Sequence, residues 1–251
     1  MKIAVYTANI GGCIKFYQPQ ILENNVDYIY FTDDKNLKSD KWNIVYIENT
    51  IETTNVSPGS RSLAKRIKMM FWEYLKGYDW VVWIDAQNEI LSDGFGSYID
   101  TIPSTIDAVF KPNPKPRQIG PRKRRTKTNV YEEIRVCKFY NLDNPEQLNI
   151  WEVELKNMNF PSYEYGLFET NIIFRRCNFE NIPKDFYQEW WDLSTNRFRR
   201  DQLTINYLIW KYNIKEYVLD DKLDDIISTY KDINGRTDKG TAEREGNFYK
   251  N

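Results

Sequence analysis

The run Trp80-Val81-Val82-Trp83-Ile84, closed by Asp85, constrains this chain more than any other stretch. Val81, Val82, Trp83 and Ile84 are β-branched or aromatic, too few for a helix, and bounded by polar residues, which is the composition of a strand covered on both faces. Asp85 then stands where a central strand leaves its sheet. In open α/β sheets the ligand crevice lies beyond the carboxyl ends of the strands, so an acid there can face a ligand instead of being buried without a partner. Capping a turn or the next helix is the competing role for Asp85, and the run alone leaves both open.

The rest of the chain repeats the device. Ile3 to Tyr6 reads as a short buried strand followed by Thr7-Ala8-Asn9-Ile10-Gly11-Gly12, a small turn whose glycines let backbone approach a ligand closely. It resembles half of a nucleotide-binding turn but lacks the GxGxxG spacing. A short helix is expected over Tyr17 to Leu22, then a strand over Asp27 to Phe31 that delivers Asp33 and Asp34 to its carboxyl edge, and a third strand over Trp42 to Ile47. Ser60 to Leu75 has Leu63, Ile67, Met70, Phe71 and Tyr74 at helical spacing. Arg61, Lys65, Arg66 and Lys68 share that helix, either as a solvated face or as cations reaching over the sheet edge toward a phosphate. Asp107 to Phe110 and Ile172 to Arg176 read as further strands. Asn129 to Phe139, Pro145 to Met158, Phe186 to Leu193 and Leu203 to Tyr212 read as helices. Alternating strands and helices predict an α/β fold.

Several classes of chemistry are excluded by composition. The chain has no histidine, which removes His-based zinc sites and Ser-His-Asp or Cys-His catalysis, leaving carboxylates, Lys, Tyr and backbone dipoles. Cys13, Cys137 and Cys177 lack metal-ligand spacing and read as small hydrophobes in a reducing compartment. With 35 basic and 36 acidic residues there is no global field to recruit nucleic acid. The one local exception, Lys111 to Lys127, carries eight cations and four prolines and reads as a loop: a lid over a pyrophosphate, a solvated surface or a polynucleotide contact. No apolar run is long enough to span a membrane, and a cytoplasmic protein is expected. The body of the fold is assigned to residues 1–219, with 220–251 as a polar C-terminal extension.

Three more positions are candidates for binding or chemistry. Glu169, Thr170 and Asn171 precede a buried strand, where short polar side chains bind sugar hydroxyls or make a turn. Trp191, beside Trp190, stacks on a sugar ring or packs as a helix face. Asp201 opens a strongly apolar helix, whose dipole favours an ionised carboxylate; capping, or pairing with Arg199 or Arg200, is its competing role.

Tyr6-Thr7-Ala8, Tyr30-Phe31-Thr32-Asp33, Trp83-Ile84-Asp85-Ala86, Tyr131-Glu132-Glu133, Gly166 to Asn171 and Arg200-Asp201-Gln202 together resemble a GT-A-type glycosyltransferase. More narrowly they are similar to the hexosyltransferase-like family of plant mucilage and pectin-related proteins with bacterial and viral relatives. The resemblance implies a mixed, mainly parallel GT-A-like sheet flanked by helices and transfer of a hexosyl or pentosyl group from a nucleotide-sugar donor to a glycan or glycoconjugate acceptor. It places the donor on Thr7, Ala8, Asn9, Gly11, Asp33, Arg61, Lys65, Asp85, Ala86 and Gln87. The acceptor falls to Glu169, Thr170, Asn171 and Trp191, with Asp201 catalytic. A divalent ion, Mn²⁺ or Mg²⁺, is implied on Asp85, although the usual Asp-x-Asp is Asp85-Ala86-Gln87 here. The missing second acid favours a degenerate member that binds nucleotide-sugar or glycan without turnover; Asp201 opposes that alternative.

Overall fold

The computed structural model describes residues 1–53, 56–112, 129–218, 223 and 225–228. In chain order they form β1 (Ile3–Asn9), β2 (Val26–Thr32), β3 (Asn43–Tyr46), α1 (Gly59–Met69), β4 (Trp80–Ile84), β5 (Glu89–Ile90), α2 (Phe95–Asp100), β6 (Ala108–Pro112), α3 (Val130–Phe139), α4 (Pro145–Asn157), α5 (Ser162–Tyr165), β7 (Phe168–Arg176), α6 (Lys184–Asp192), α7 (Ile205–Lys211), β8 (Glu216–Val218) and β9 (Ile227–Ser228).

Seven strands make one sheet in the order β3-β2-β1-β4-β7-β6-β8, and β5 pairs with β9 in a small second sheet. β7 runs antiparallel to both of its neighbours, whereas the other pairings in the large sheet are parallel. The fold is therefore the mixed, mainly parallel α/β sheet flanked by helices that the sequence predicts, consistent with a GT-A or Rossmann-like fold. Reversal of β7 has a functional consequence: its amino end, Phe168 to Asn171, lies at the same edge as the carboxyl ends of β1, β2 and β4.

β4 is buried along its whole length because both faces are covered. Val81 and Trp83 pack with Leu63 and Ile67 of α1 and Phe186 and Trp190 of α6. Trp80, Val82 and Ile84 face the opposite layer with Phe95, Tyr98 and Ile99 of α2. Leu223, Ile226 and Ile227, from the stretch read as a polar extension, also pack in that second layer. A third cluster joins α3 and α4 to Phe198 and Leu203, bracing the segment that carries Asp201. No helix among the described residues is long and apolar enough to cross a membrane.

Four local expectations are corrected. Tyr17 to Leu22 is not helical. Its carbonyls are taken from outside, Tyr17 O by the Trp42 indole at 2.9 Å and Pro19 O by Lys41 Nζ at 2.8 Å. The helix expected to reach Leu75 ends at Met69, followed by a 3-10 turn over Phe71–Glu73. The Lys68 carbonyl, which a longer helix would offer to its own backbone, accepts instead from Arg175 Nη1 at 2.6 Å and from the Tyr6 hydroxyl at 3.0 Å. Glu169, Thr170 and Asn171 lie inside β7, not before it. Asp201 opens a three-residue 3-10 turn, Asp201–Leu203, not the longer helix, so a helix dipole is not what holds its charge. Of the basic stretch Lys111 to Lys127, residues 113–127 lie outside the described residues, as does most of 220–251.

Candidate active site at the carboxyl edge of the sheet

β1 has β2 on one side and β4 on the other, so the chain changes direction across the sheet between β1 and β4. Crevices form beyond the strand ends at such a switch point. Two loops border this one. The first follows β1, where Gly11 and Gly12 adopt φ of 78° and 67°, a region open to glycine without strain. Asp33, from the end of β2, accepts the Gly11 amide at 2.8 Å. Asn9 pins the same loop, its amide group both donating to Ile14 O at 2.6 Å and accepting from Ile14 N at 3.2 Å. Asn9 and Asp33 thus shape the backbone of this loop, while Thr7 and Ala8 sit in β1 beneath it, buried.

The second loop is Asp85 to Asn88. Its turn closes through Asn88 N to Asp85 O at 2.8 Å, and Asp85 N donates to Asn171 O of β7 at 2.8 Å. The buried Asn88 side chain donates to the same Asn171 carbonyl at 3.3 Å. Asp85 follows Trp83 by two residues and so leaves the strand on the same face. The Trp83 indole N–H reaches its Oδ1 at 2.7 Å. Ala86 and Gln87 complete the turn, both half-buried.

At the centre of the site stands one of the four α1 cations, which the sequence leaves open as a solvated face or as charge reaching over the sheet edge. Lys68, at the end of α1, has a side chain only 5% exposed, with Nζ 2.6 Å from Asp201 Oδ2 and 3.7 Å from Asp85 Oδ1. Its ammonium also lies 5.6 Å from the Trp83 ring centroid and 5.9 Å from that of Trp190. Two acids far apart in the chain thus share one cation beside two indoles; Asp201 is mostly buried, where exclusion of water strengthens the attraction, while the Asp85 side chain is 33% exposed. The backbone beneath Lys68 is fixed by Arg175, which is fully buried and lies 4.4 Å over the Phe71 ring. Arg175 also donates to the Tyr6 hydroxyl, which in turn donates to Lys68 O.

Burial by itself raises the Asp201 pKa, but Lys68, then Lys65, and hydrogen bonds from Lys68 and Thr170 overcome it and hold the carboxyl far below its ordinary range. The turn bearing Asp201 is anchored from several sides. Asp143 Oδ2 accepts the amides of Arg199 at 2.7 Å and Arg200 at 3.0 Å. Arg200 Nε donates to the fully buried Glu133 at 2.8 Å. Trp190 and Trp151 donate to the carbonyls of Asp201 at 3.2 Å and Leu203 at 3.0 Å. Lys65 donates to the carbonyls of Ser194 and, at 3.0 Å, Arg199. Burial pushes the Lys65 ammonium down to about 7, with Asp201 opposing that shift and Arg61 adding to it. Lys65 is thus turned into the protein, and half-buried Arg61 lies near enough to act on it. Trp191 packs against α1, donating to Ser62 O at 3.3 Å with the Arg66 guanidinium 5.0 Å over its ring. These contacts tie Trp191 to α1 and Lys65 to the segment before Asp201.

Glu169, Thr170 and Asn171 stand beside Asp85 where β7 changes register against β6, between the pairs Phe110–Ile173 and Lys111–Glu169. Such irregularities re-aim side chains at sheet edges, and here Thr170 reaches Asp201. Thr7 Oγ1 and Asn171 Oδ1 are buried without a protein hydrogen-bond partner.

No protein-family model matches the chain, and no curated protein does. Solved structures similar to it include a glycosyltransferase involved in the glycosylation of the major capsid of PBCV-1, at 12% identity and a TM-score of 0.46, covering 98% of this chain and 92% of that one. Mouse xyloside xylosyltransferase 1 in its apo form is similar at 8% identity and a TM-score of 0.47, covering 87% and 84%. The bifunctional glycosyltransferase WbbM, also apo, follows at 11% and 0.42, covering 87% and 38%.

Asp85, the acid implied to hold a divalent ion, brings one carboxylate to this edge, and Lys68 Nζ lies 3.7 Å from it. Among the described residues no three acidic or cysteine side chains converge as ligands, and the two acids that approach one another already share Lys68.

Proposed function

We propose that the chain is a glycosyltransferase that moves a hexosyl or pentosyl group from a nucleotide-diphosphate donor to a glycan or glycoconjugate acceptor, in the crevice between β1 and β4. The observation that carries this reading is the convergence of Asp85, Lys68 and Asp201 at the carboxyl edge of the sheet, beside the switch point. Breaking the bond between a sugar and a diphosphate separates charge: the anomeric carbon turns positive while the leaving oxygen turns negative. A fixed carboxylate and a fixed cation, held in a niche poor in water, oppose those two charges as they develop.

In this reading the loop from Thr7 to Gly11, with Asp33 behind it, receives the nucleotide, and Asp85 to Gln87 meet the ribose or the diphosphate. Glu169, Thr170 and Asn171 face the acceptor. Asp201 remains ionised at neutral pH and is a weak proton acceptor, because a general base works best with a pKa near the working pH. Its role is accordingly to steady positive charge at the anomeric carbon. No nucleic-acid partner is required.

A panel of nucleotide-sugars and free nucleoside diphosphates, screened by thermal shift, tests the donor assignment, since a ligand of the native state raises its stability by mass action. The expected result is stabilisation by one nucleotide class, weakened in Asp85→Asn, together with release of nucleoside diphosphate when acceptor is added. Stabilisation without any turnover assigns a binding protein instead. No stabilisation by any member of the panel refutes the donor site.

A further inference from the structure

The niche that holds Lys68 is built for a permanent cation. Its wall is made of two indoles, Trp83 and Trp190, whose faces favour positive charge, and its floor is the Lys68 main chain tied down by Arg175 and Tyr6. The two carboxylates come from β4 and from the turn before α7, and the ammonium lies within ion-pair distance of both. Trp83 also donates to the Asp85 oxygen nearest Lys68, fixing the carboxylate in that orientation. Two carboxylates facing one position from separate elements form half of a hard-cation site, in which oxygen ligands surround a divalent ion. Here that position is filled by a covalently attached ammonium.

We propose that Lys68 is the resident cation of this site, standing in place of a divalent metal, and that the donor diphosphate binds to it without added metal. The second part rests on the transferase reading; the first does not. Two consequences distinguish Lys68 from a merely structural lysine. Wild-type protein has no divalent site at Asp85, and removal of the Lys68 charge creates one.

Free Mn²⁺ is followed by electron paramagnetic resonance as the full chain is titrated in. Wild-type protein is expected to show no Mn²⁺ site dependent on Asp85 tighter than about 1 mM, the weak end of the range for oxygen-ligand sites. Lys68→Gln is expected to gain one Mn²⁺, bound at least about tenfold more tightly than that, and to lose it again when Asp85→Asn is added. In parallel, thermal shifts with UDP, GDP, ADP and CDP are measured in EDTA and in MnCl₂. The nucleotide that stabilises wild type should do so equally in both, and its affinity should fall at least about tenfold in Lys68→Gln, the scale of one lost charge-assisted hydrogen bond. Mn²⁺ should restore part of that loss in the variant.

A wild-type Mn²⁺ site abolished by Asp85→Asn overturns the proposal, as does diphosphate binding to wild type that EDTA removes. Folded Lys68→Gln that takes up no Mn²⁺ overturns it too. Should that variant fail to fold, the wild-type titration still decides. If no nucleoside diphosphate stabilises wild type in either buffer, the transferase reading fails, and the Mn²⁺ titrations continue to report on Lys68.

Discussion

Replacing Lys65 by Met should change how stability depends on pH, because this lysine is the most strongly displaced amine in the site's support. Burial lowers its pKa from 10.5 to about 7, while the unfolded chain keeps the ordinary value. Between those values the unfolded state holds a proton that the folded state has released. Stability therefore rises with pH across the window, by about 1.4 kcal/mol per unit for one such group. The contribution is fully present above the unfolded value, and it is lost as pH falls toward the folded one. From pH 7 to pH 9 the accumulated gain is roughly 2 kcal/mol.

The buried tyrosines and Cys177, raised by burial, work in the opposite direction toward the alkaline end. They act equally in both proteins, so the informative quantity is the difference between wild type and Lys65→Met. Urea unfolding at pH 7, 8 and 9 measures it. Wild-type stability should climb relative to the variant by roughly 2 kcal/mol over that range, whatever constant offset the substitution adds through the lost hydrogen bonds to Ser194 and Arg199. Parallel pH profiles would refute the reasoning, since Lys65 would then remain protonated in the folded state throughout.

Asp201→Asn should lower the transfer rate by about two to three orders of magnitude with donor affinity retained, as expected for loss of one preorganised charge; single-turnover kinetics check this, and near-parent activity refutes it. With its pKa depressed, Asp201 contributes stability that is present above about pH 4 and lost as pH falls through its folded value, so Asp201→Asn should flatten acid unfolding below pH 4. Glu133→Gln removes the charge paired with Arg200, whose side chain is 31% exposed and also reaches Gln202, and should cost about 2 kcal/mol in urea unfolding, whereas a loss under about 0.5 kcal/mol would mean the pair does not brace the Asp201 turn. Asp33→Ala frees the Gly11 amide and should cost only about 1 kcal/mol of stability while weakening nucleotide binding; hydrogen exchange at Gly11 that does not accelerate would count against the bond.

The sheet was legible because its strands are short apolar runs that nothing else explains. Val81 to Ile84 reads as a strand covered on both faces, and it is one. The helix at Tyr17 failed for a reason no local pattern carries: its carbonyls are claimed by Lys41 and Trp42, some twenty residues downstream. The early end of α1 has the same origin, since Arg175, far along the chain, takes the Lys68 carbonyl. Two of the motifs recognised in sequence, Tyr131-Glu132-Glu133 and Arg200-Asp201-Gln202, prove to be joined by the Glu133–Arg200 pair, a link that spacing along the chain does not reveal.

Lys68 shows where sequence reasoning stops. On a helical wheel it falls three residues after Lys65 and one turn after Ala64, and four cations on eleven residues look like a solvated face. A clue was present in the helix itself: Lys68 stands between Ile67 and Met69, which lie about 200° apart around the helix, so burying both leaves little surface on which to expose it. What turns that geometric tendency into a buried charge is supplied entirely by tertiary partners, because a lone ammonium would pay too much to leave water. Asp85 and Asp201 supply the countercharge, and Trp83 and Trp190 the walls. The acids were visible as acids at strand and helix ends, but each had a competing capping or pairing role until a common partner distinguished them. That partner is a cation both can reach only because β4 ends beside the turn that starts at Asp201, and the reversed β7 lies between them carrying Thr170 to the same place. The site is thus a property of the sheet order more than of any motif, and perturbing Lys68 tests the whole arrangement where perturbing either acid tests only half.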